Sequence, residues 1–548
     1  MIEITKRIIL FPEFAQFART AACRGEVTAV TSAYLRMWYI TTYDGDISKE
    51  RREGFAEQKA KRAGRGSGPG MKAPNGERLP WKASRFTRLA SVGDRGGVLY
   101  NSYTGALAAV SSRERDEAAR LLDGAVEAPG DADGLAAELL DAGFLVPSDT
   151  DELERASRFH EALKAARTMH LVLMPTEACS FRCSYCYQTF ERGAMTREVI
   201  DGLKSYVRRA AERVEQITVS WFGGEPLLAF DTILELSDSF MDSCRRGGAR
   251  YSADMSTNGY GLTKTRLARL VERQVRRYMI TLDGGAGVHD RRRKLRGGGP
   301  TYRTIIDNLT EWRELDEEYA VDLRVNFDED NVRDLKAWFG ELSALLGGDR
   351  RFGLLVRPVG RWGGPRDAQL PVCDRTASDR YLWELAEQGR RAGLPVSGSI
   401  ADALLPAGAV CYAAKPNALV VGADGRLYKC SVALDDDANQ VGRLERDGTM
   451  RLDRDKIALW TESGEEKDDV CRTCFYRPAC QGNHCPLYRM RTGRRPCPHE
   501  KRRLNRVLAL LGNDHIDKEG GEADEAYPAA RLNGASSADG QSDEVGPG

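Results

Sequence analysis

What this 548-residue chain lacks narrows its class before any motif is considered. No window approaches the ~18–20 uninterrupted apolar residues of a membrane span, and the start, Met1-Ile2-Glu3-Ile4-Thr5-Lys6-Arg7, leads into an apolar stretch broken at Glu13. No membrane partner is expected, and the cytoplasm is the expected location. Neither charge is in surplus, since 81 Lys and Arg stand against 81 Asp and Glu. A broad nucleic-acid or membrane-surface binder would carry excess basic residues, so a nucleic-acid partner is not expected either. Cysteine is missing from a long stretch. Cys23 is the only one before Cys179, yet the chain holds 13, and seven fall between Cys411 and Cys497. A disulfide scaffold would be short and evenly stapled, whereas an odd, clustered set in a long chain points to metal binding or redox chemistry.

The remaining composition, 41% hydrophobic and 30% charged, is that of a globular protein with a full core. At ~100–200 residues per domain the length implies about three domains. Residues 1–80 read as an extension, in which the Lys-, Arg- and Gly-rich stretch 51–75 suits a flexible linker. One reading places the translational start at Met71 within that stretch. Residues 81–151 are expected to form a small α+β unit, with strands at 86–89, 98–100 and 143–146 and helices at 114–122 and 135–140. Such a unit either offers an open sheet edge to an extended peptide or caps the next domain.

Strands and helices then alternate. Strands are expected at 171–174, 217–221, 251–256, 279–282, 323–326 and 354–357, and helices at 197–214, 231–244, 264–273, 302–315 and 332–346. About six strand–helix units imply an α/β fold, a partial TIM-like (β/α)6 barrel over 168–370, with chemistry at the C-terminal ends of its strands. Residues 400–510 show little periodicity and hold most of the cysteines, so an irregular domain organised by metal is expected there. From 511 to 548 the chain is acidic and rich in small residues, and disorder is expected.

The most specific motif is Ala178-Cys179-Ser180-Phe181-Arg182-Cys183-Ser184-Tyr185-Cys186-Tyr187, directly after the first barrel strand. A compact loop of this kind can bring three thiolates to one cubane, leaving one of its four irons without a cysteine. Zinc would want a fourth protein ligand, and none lies nearby. The three-cysteine spacing with an aromatic before the third resembles the signature of the radical SAM superfamily. The resemblance implies a 4Fe–4S cluster held by Cys179, Cys183 and Cys186, whose open iron chelates S-adenosylmethionine and whose reduction yields a hydrogen-abstracting 5′-deoxyadenosyl radical. Further segments agree in order. Gly223-Gly224-Glu225-Pro226 resembles the motif that meets the methionine amino group, where glycine permits close approach and a carboxylate suits an ammonium. Ser256-Thr257-Asn258-Gly259 is similar to the serine-containing motif beside the ribose and carboxylate. Thr281-Leu282-Asp283-Gly284 resembles the next one, and by that match Arg293 pairs with the methionine carboxylate, although Arg291 and Arg292 leave the register open. Asn326 and Asp328 are candidates to line the pocket, and His289 is expected to pack a loop rather than catalyse. No catalytic residue is assigned.

In the C-terminal part, Cys411, then Gly425 and Cys430, then Cys471, Cys474, Cys480, Cys485 and Cys497 closely resemble the SPASM domain of radical SAM peptide maturases. The resemblance implies two auxiliary 4Fe–4S clusters. Cys411, Cys430 and Cys485 would hold the first, and Cys471, Cys474, Cys480 and Cys497 the second. One departure is the four residues between Cys480 and Cys485, where the family usually has three. Fully ligated relatives carry another cysteine before the first, where this chain has Leu405; Cys373 is the only spare upstream, leaving an open iron in prospect. A zinc ribbon around Cys471 and Cys474 is the alternative, because thiolate spacing does not name the metal.

The function so implied is maturation of a ribosomally made precursor peptide, captured through its leader, by hydrogen abstraction and then oxidative formation of a thioether or carbon–carbon crosslink. The auxiliary clusters would take the second electron or bind a substrate thiolate, and flavodoxin or ferredoxin would donate electrons. An alternative is a sulfatase-maturing, formylglycine-generating enzyme, in whose family an aspartate follows the cysteine equivalent to Cys430; here Ser431 does. A third is a non-enzymatic iron–sulfur electron carrier.

Overall fold

The strand–helix alternation folds as a curved parallel sheet with its apolar residues on one face and polar ones on the other. A computed structural model describes residues 8–9, 80–94, 96–124 and 134–519. The proposed linker, the Met71 start, Cys23 and the chain beyond Glu519 lie outside the described residues.

The N-terminal unit comprises β1 (Ile8–Ile9), β2 (Trp81–Ala83), β3 (Thr87–Ser91), β4 (Gly96–Asn101), β5 (Leu107–Ser111) and β6 (Leu145–Pro147). One sheet runs β1-β5-β4-β3, and β2 pairs with β6. Three details differ from the sequence reading. The strands β1, β2 and β5 are additional to those expected. The helix Ser112–Leu122 begins earlier than 114, because Ser111 and Glu114 form a capping box that satisfies the first free amides. A helix at Glu152–Lys164, capped by Asp151, stands where the unit was expected to end.

The barrel strands are β7 (Thr168–Leu173), β9 (Gln216–Trp221), β10 (Arg250–Thr257), β11 (Val275–Thr281), β13 (Ala320–Phe327) and β14 (Phe352–Pro358), with the short β8 (Phe181–Cys183) and β12 (Arg293–Leu295) pairing outside the main sheet. All six expected strands are present and pair in parallel. The C-terminal part adds β15 (Ala418–Val421), β16 (Arg426–Tyr428), β17 (Gln440–Leu444) and β18 (Met450–Leu452). The order is β14-β13-β11-β10-β9-β7-β15-β16-β17-β18, a sheet with two ends, so the barrel is open. This corrects the expectation of an irregular C-terminal domain: β15 lies parallel beside β7 and extends the barrel, with Ala418 opposite His170. The reason is local, since Ala418-Leu419-Val420-Val421 is a short apolar run that is wholly buried. The tail also starts later than expected, because a helix spans Leu504–Glu519 and anchors itself through buried Val507, Leu508 and Leu510. No described helix is long and apolar enough to cross a membrane.

The outer face of the sheet is one apolar core. Leu171, Ile217, Val219, Trp221, Ile280, Leu323 and Val325 pack against Leu203, Phe240, Leu267, Leu309 and Phe339 of the surrounding helices. The inner face carries polar residues beside a small apolar cluster of Val172, Met174, Val420 and Tyr428. His170 Nε2 and Ser220 Oγ are 2.8 Å apart, and Ser220 donates to Asp254 Oδ2 at 2.8 Å. The serine stands between the other two, so this is no nucleophilic triad, in which the histidine would hold the middle. Arg277 reaches Asp322 at 3.1 Å and Asp402 at 2.9 Å.

Burial raises the Asp254 carboxyl from 3.8 to about 6. A raised folded value means that ionisation costs stability, and the cost develops as pH climbs from the ordinary value to the raised one and then stays. Asp254→Asn should therefore raise the melting temperature at about pH 8 and leave it unchanged near about pH 4, measured by anaerobic scanning fluorimetry. An equal gain at both would place the effect elsewhere.

Candidate functional site

The loop leaving β7 carries Cys179, Cys183 and Cys186. It is stapled by the two-stranded ladder of β8 and β12, which sets Arg293 directly opposite Cys183. The three thiols lie within electrostatic reach of one another. Burial pushes Cys179 up to about 12, Cys183 up to about 11, and Cys186 upward as well. Such thiols stay protonated unless a cation takes the proton's place, so metal binding here would release protons. Among the described residues, the only His, Cys, Asp or Glu trio gathered within 4.8 Å is His160, Glu465 and Glu466.

The loop leaving β9 lies directly on the cysteine loop. Gly223, at φ +123°, would set a Cβ 2.3 Å from the Thr176 carbonyl, and a Cβ on Gly224 would meet the Glu177 and Ala178 carbonyls at 2.3 and 2.4 Å. Both positions therefore require glycine. Gly224 and Glu225 amides donate to Thr176 and Ala178 at 3.2 and 2.9 Å. The buried Glu225 carboxyl, raised by burial, accepts from Thr257 Oγ1 at 2.7 Å and from the Asn258 amide at 2.8 Å. It thus ties the end of β9 to the end of β10. Pro226 opens the short turn Pro226–Ala229. Ser256 is half-buried on the inner side of β10, and Asn258 Nδ2 donates to Ser180 Oγ at 3.1 Å.

Tyr185 is the hub beside the third cysteine. Its hydroxyl donates to Asp283 Oδ2 at 2.5 Å and accepts from Arg293 at 2.7 Å and Asn326 Nδ2 at 3.2 Å. The register among the arginines is decided by their partners. Arg292 is spent on a bidentate pair with Asp328 at 2.9 and 2.8 Å, so Asp328 braces that arginine. Arg293 is buried, makes no ion pair among the described residues and leaves its Nε without a partner. A buried cation lacking an anion is costly, and it marks the place where a carboxylate would settle. His289 Nδ1 accepts from the Asp283 amide at 3.3 Å and packs edge-on against Tyr302, a positioning role. Sequence reasoning missed Asn331, whose Nδ2 donates to the Asp283 and Asn326 carbonyls at 2.9 and 3.0 Å. Its only signal was the Asp330-Asn331 turn chemistry after β13.

The C-terminal cysteines separate into two groups. Cys411, Cys430 and Cys485 interact with one another, as do Cys471, Cys474, Cys480 and Cys497. Burial pushes Cys411 and Cys480 up to about 12. Asn439 shapes the first group by accepting from the Lys429 and Cys430 amides at 3.0 and 2.8 Å and donating to the Cys430 carbonyl at 2.7 Å. Asp468 shapes the second by accepting from the Cys471 amide at 3.1 Å and pairing with Arg495 at 2.6 Å. Cys373 lies beside Asp328 and Glu329 rather than with the first group, and Cys244 is buried in the barrel core. Tyr187 is within electrostatic reach of both Cys186 and Cys430, so the barrel loop and the first C-terminal group face each other. A cleft of about 260 Å³ opens between them, lined by Tyr187, Gln188, Arg192, Trp362, Leu434 and Arg491 among others.

Gly224→Ala should displace the Glu177–Ala178 backbone and cost the barrel loop its metal. Iron per chain after anaerobic reconstitution should fall by about four, one cubane's worth. Full iron content in that variant would show that the loop tolerates the shift.

A family model agrees with the motifs of the barrel loops. Residues 173–341 match the family model described as the radical SAM superfamily. A serine-type anaerobic sulfatase-maturating enzyme of Klebsiella aerogenes is 23% identical over 362 residues, spanning 62% of this chain and 86% of the relative. Among solved structures, anSMEcpe with bound AdoMet and Cp18Cys peptide is 16% identical, spans 65% of this chain and 99% of its own, and gives a TM-score of 0.45. Streptococcus suis SuiB bound to precursor peptide SuiA is 13% identical, spans 75% and 97%, and gives 0.40. The reading of the chain as a non-enzymatic electron carrier falls with the family match. Residues 173–341 form a radical SAM domain, and the chain that carries it is an enzyme.

Proposed function

We propose that this enzyme matures a ribosomally made precursor peptide by hydrogen abstraction and oxidative crosslinking, forming a thioether or a carbon–carbon bond. Cys179, Cys183 and Cys186 would hold the cluster that binds S-adenosylmethionine. Cys411, Cys430 and Cys485 would hold one auxiliary cluster, and Cys471, Cys474, Cys480 and Cys497 another. The observation that carries this reading is the gathering of ten cysteines into three separate groups, one at the rim of the barrel and two in the C-terminal part. When bound, the clusters and S-adenosylmethionine supply the abstracting radical and a sink for a second electron delivered from substrate.

The chain's own residues supply position and charge. Arg293 offers an unpaired buried cation for the methionine carboxylate, with Tyr185 and Asp283 fixing its direction. Glu225 ties the end of β9 to the end of β10 at the place proposed for the ammonium, and Ser256 and Asn258 stand at the neighbouring rim. The cleft between Tyr187 and Leu434 is open on one side, which suits an extended peptide reaching the space between Cys186 and Cys430. The N-terminal unit is the proposed site of leader capture by strand addition, and flavodoxin or ferredoxin the proposed electron donor.

Sulfatase maturation is the second reading, favoured by the names of the curated relatives. Against it, Ser431 follows Cys430 and is tied to the Tyr412 hydroxyl at 2.9 Å, while Asp435 is held by Arg192. Among the described residues no free aspartate takes that place.

Anaerobic reconstitution should give about twelve irons per chain, against about four if only the barrel cluster forms. Dithionite-reduced enzyme should cleave S-adenosylmethionine to 5′-deoxyadenosine, and Cys183→Ala should abolish this. Incubation with a short peptide encoded beside this reading frame should remove two hydrogens, read by mass spectrometry. Unchanged mass with deuterium uptake would instead mean epimerisation, and formylglycine in a sulfatase peptide would favour the second reading.

A further inference from the structure

The segment carrying Cys471, Cys474 and Cys480 is built against the N-terminal unit. Ser102, fully buried, donates to the Phe475 carbonyl, and Arg85 donates to the Thr473 carbonyl at 3.2 Å. Tyr100 donates to the Leu404 carbonyl at 2.6 Å and faces the ring of Tyr476. From the helix Glu152–Lys164, His160 pairs with Glu465 at 2.6 Å, while Ser157 meets the buried Arg477 at 3.2 Å. These are interior contacts rather than the loose touch of a tethered domain.

Two cations from different parts of the chain stand at this cysteine group. The Arg88 guanidinium of β3 lies 4.0 Å from the centre of the Phe475 ring, with its charge acting on Cys474. Lys501, in the helix His499–Arg502, places Nζ 3.3 Å from Cys497 Sγ and reaches Cys474 as well. A 4Fe–4S site with four thiolates is anionic, and one-electron reduction makes it more so. Each nearby cation and each N–H donor to sulfur therefore favours the reduced form and raises the potential.

We propose that the N-terminal unit forms one wall of the second auxiliary site, and that Arg88 from this unit and Lys501 from the C-terminal helix jointly set that cluster's reduction potential. The inference rests on the auxiliary-cluster reading above. Its consequence is that docking of the N-terminal unit and the redox state of the cluster are linked. A ligand that draws the unit away from Phe475 withdraws a positive charge from the cluster and makes it harder to reduce.

The test is redox titration of the full-length reconstituted enzyme followed by electron paramagnetic resonance, on wild type, Arg88→Met and Lys501→Met, with iron counted first. At the wild-type midpoint of that cluster, the reduced-to-oxidised ratio should fall about tenfold in Lys501→Met, ~59 mV for a one-electron couple. In Arg88→Met it should fall about threefold, because water screens the exposed guanidinium, and the difference should shrink as salt is added. The other two clusters should not move. If Lys501→Met loses the cluster altogether, Arg88→Met still decides, since it contacts no sulfur. About twelve irons with unmoved midpoints in both variants would overturn this inference and leave the clusters standing. About four irons in wild type would overturn the auxiliary clusters and this inference with them.

Discussion

The parallel pairing of the barrel strands is the constraint on which the rest depends. Strands β7, β9, β10, β11 and β13 point the same way, so the residues that follow them must emerge at one rim. Cys179, Gly223, Asn258 and Asp283 are far apart in sequence and meet there for that reason alone. A second tie sharpens the first. The ladder of β8 and β12 fixes Arg293 opposite Cys183, which turns approximate convergence into a defined pairing of cation and thiol.

Polar groups at this rim are nearly all consumed by holding one another. Glu225, Asn258, Asp283, Asn326 and Asn331 spend their hydrogen bonds between strand ends. Buried nitrogens without a partner remain on His289, Arg292 and Arg293, and of the two arginines Arg293 alone lacks an ion pair among the described residues, which makes it the place where a ligand carboxylate would complete the structure.

The sequence made the barrel legible because its strands are short apolar runs, alternating with polar residues in β9 and β11 and continuous in β14, and the flanking helices keep a helical period. The cysteine loop was legible because its spacing is rare. What escaped had physical reasons. Leu107-Ala108-Ala109-Val110 is small and alanine-rich, with little strand signature of its own, yet it forms β5 by pairing with β4. Strand β15 is four residues long and is held between β7 and β16, and no local pattern names β7 as its partner. The choice between Arg292 and Arg293 could not be read from adjacent identical residues, because it depends on Asp328 arriving from another strand. Lys501 and Arg88 gave no signal, since their meaning comes from where Cys474 and Cys497 fold.

The pairing of β15 with β7 also bears on how the molecule comes into being. His170 waits for Ala418, about 250 residues later, before that side of the first barrel strand is covered. At ~5–20 residues per second of synthesis, an apolar strand edge stays open for tens of seconds on the ribosome. During that interval the edge is a template for wrong partners. High yield of this enzyme should therefore depend on chaperone cover during synthesis as much as on iron supply.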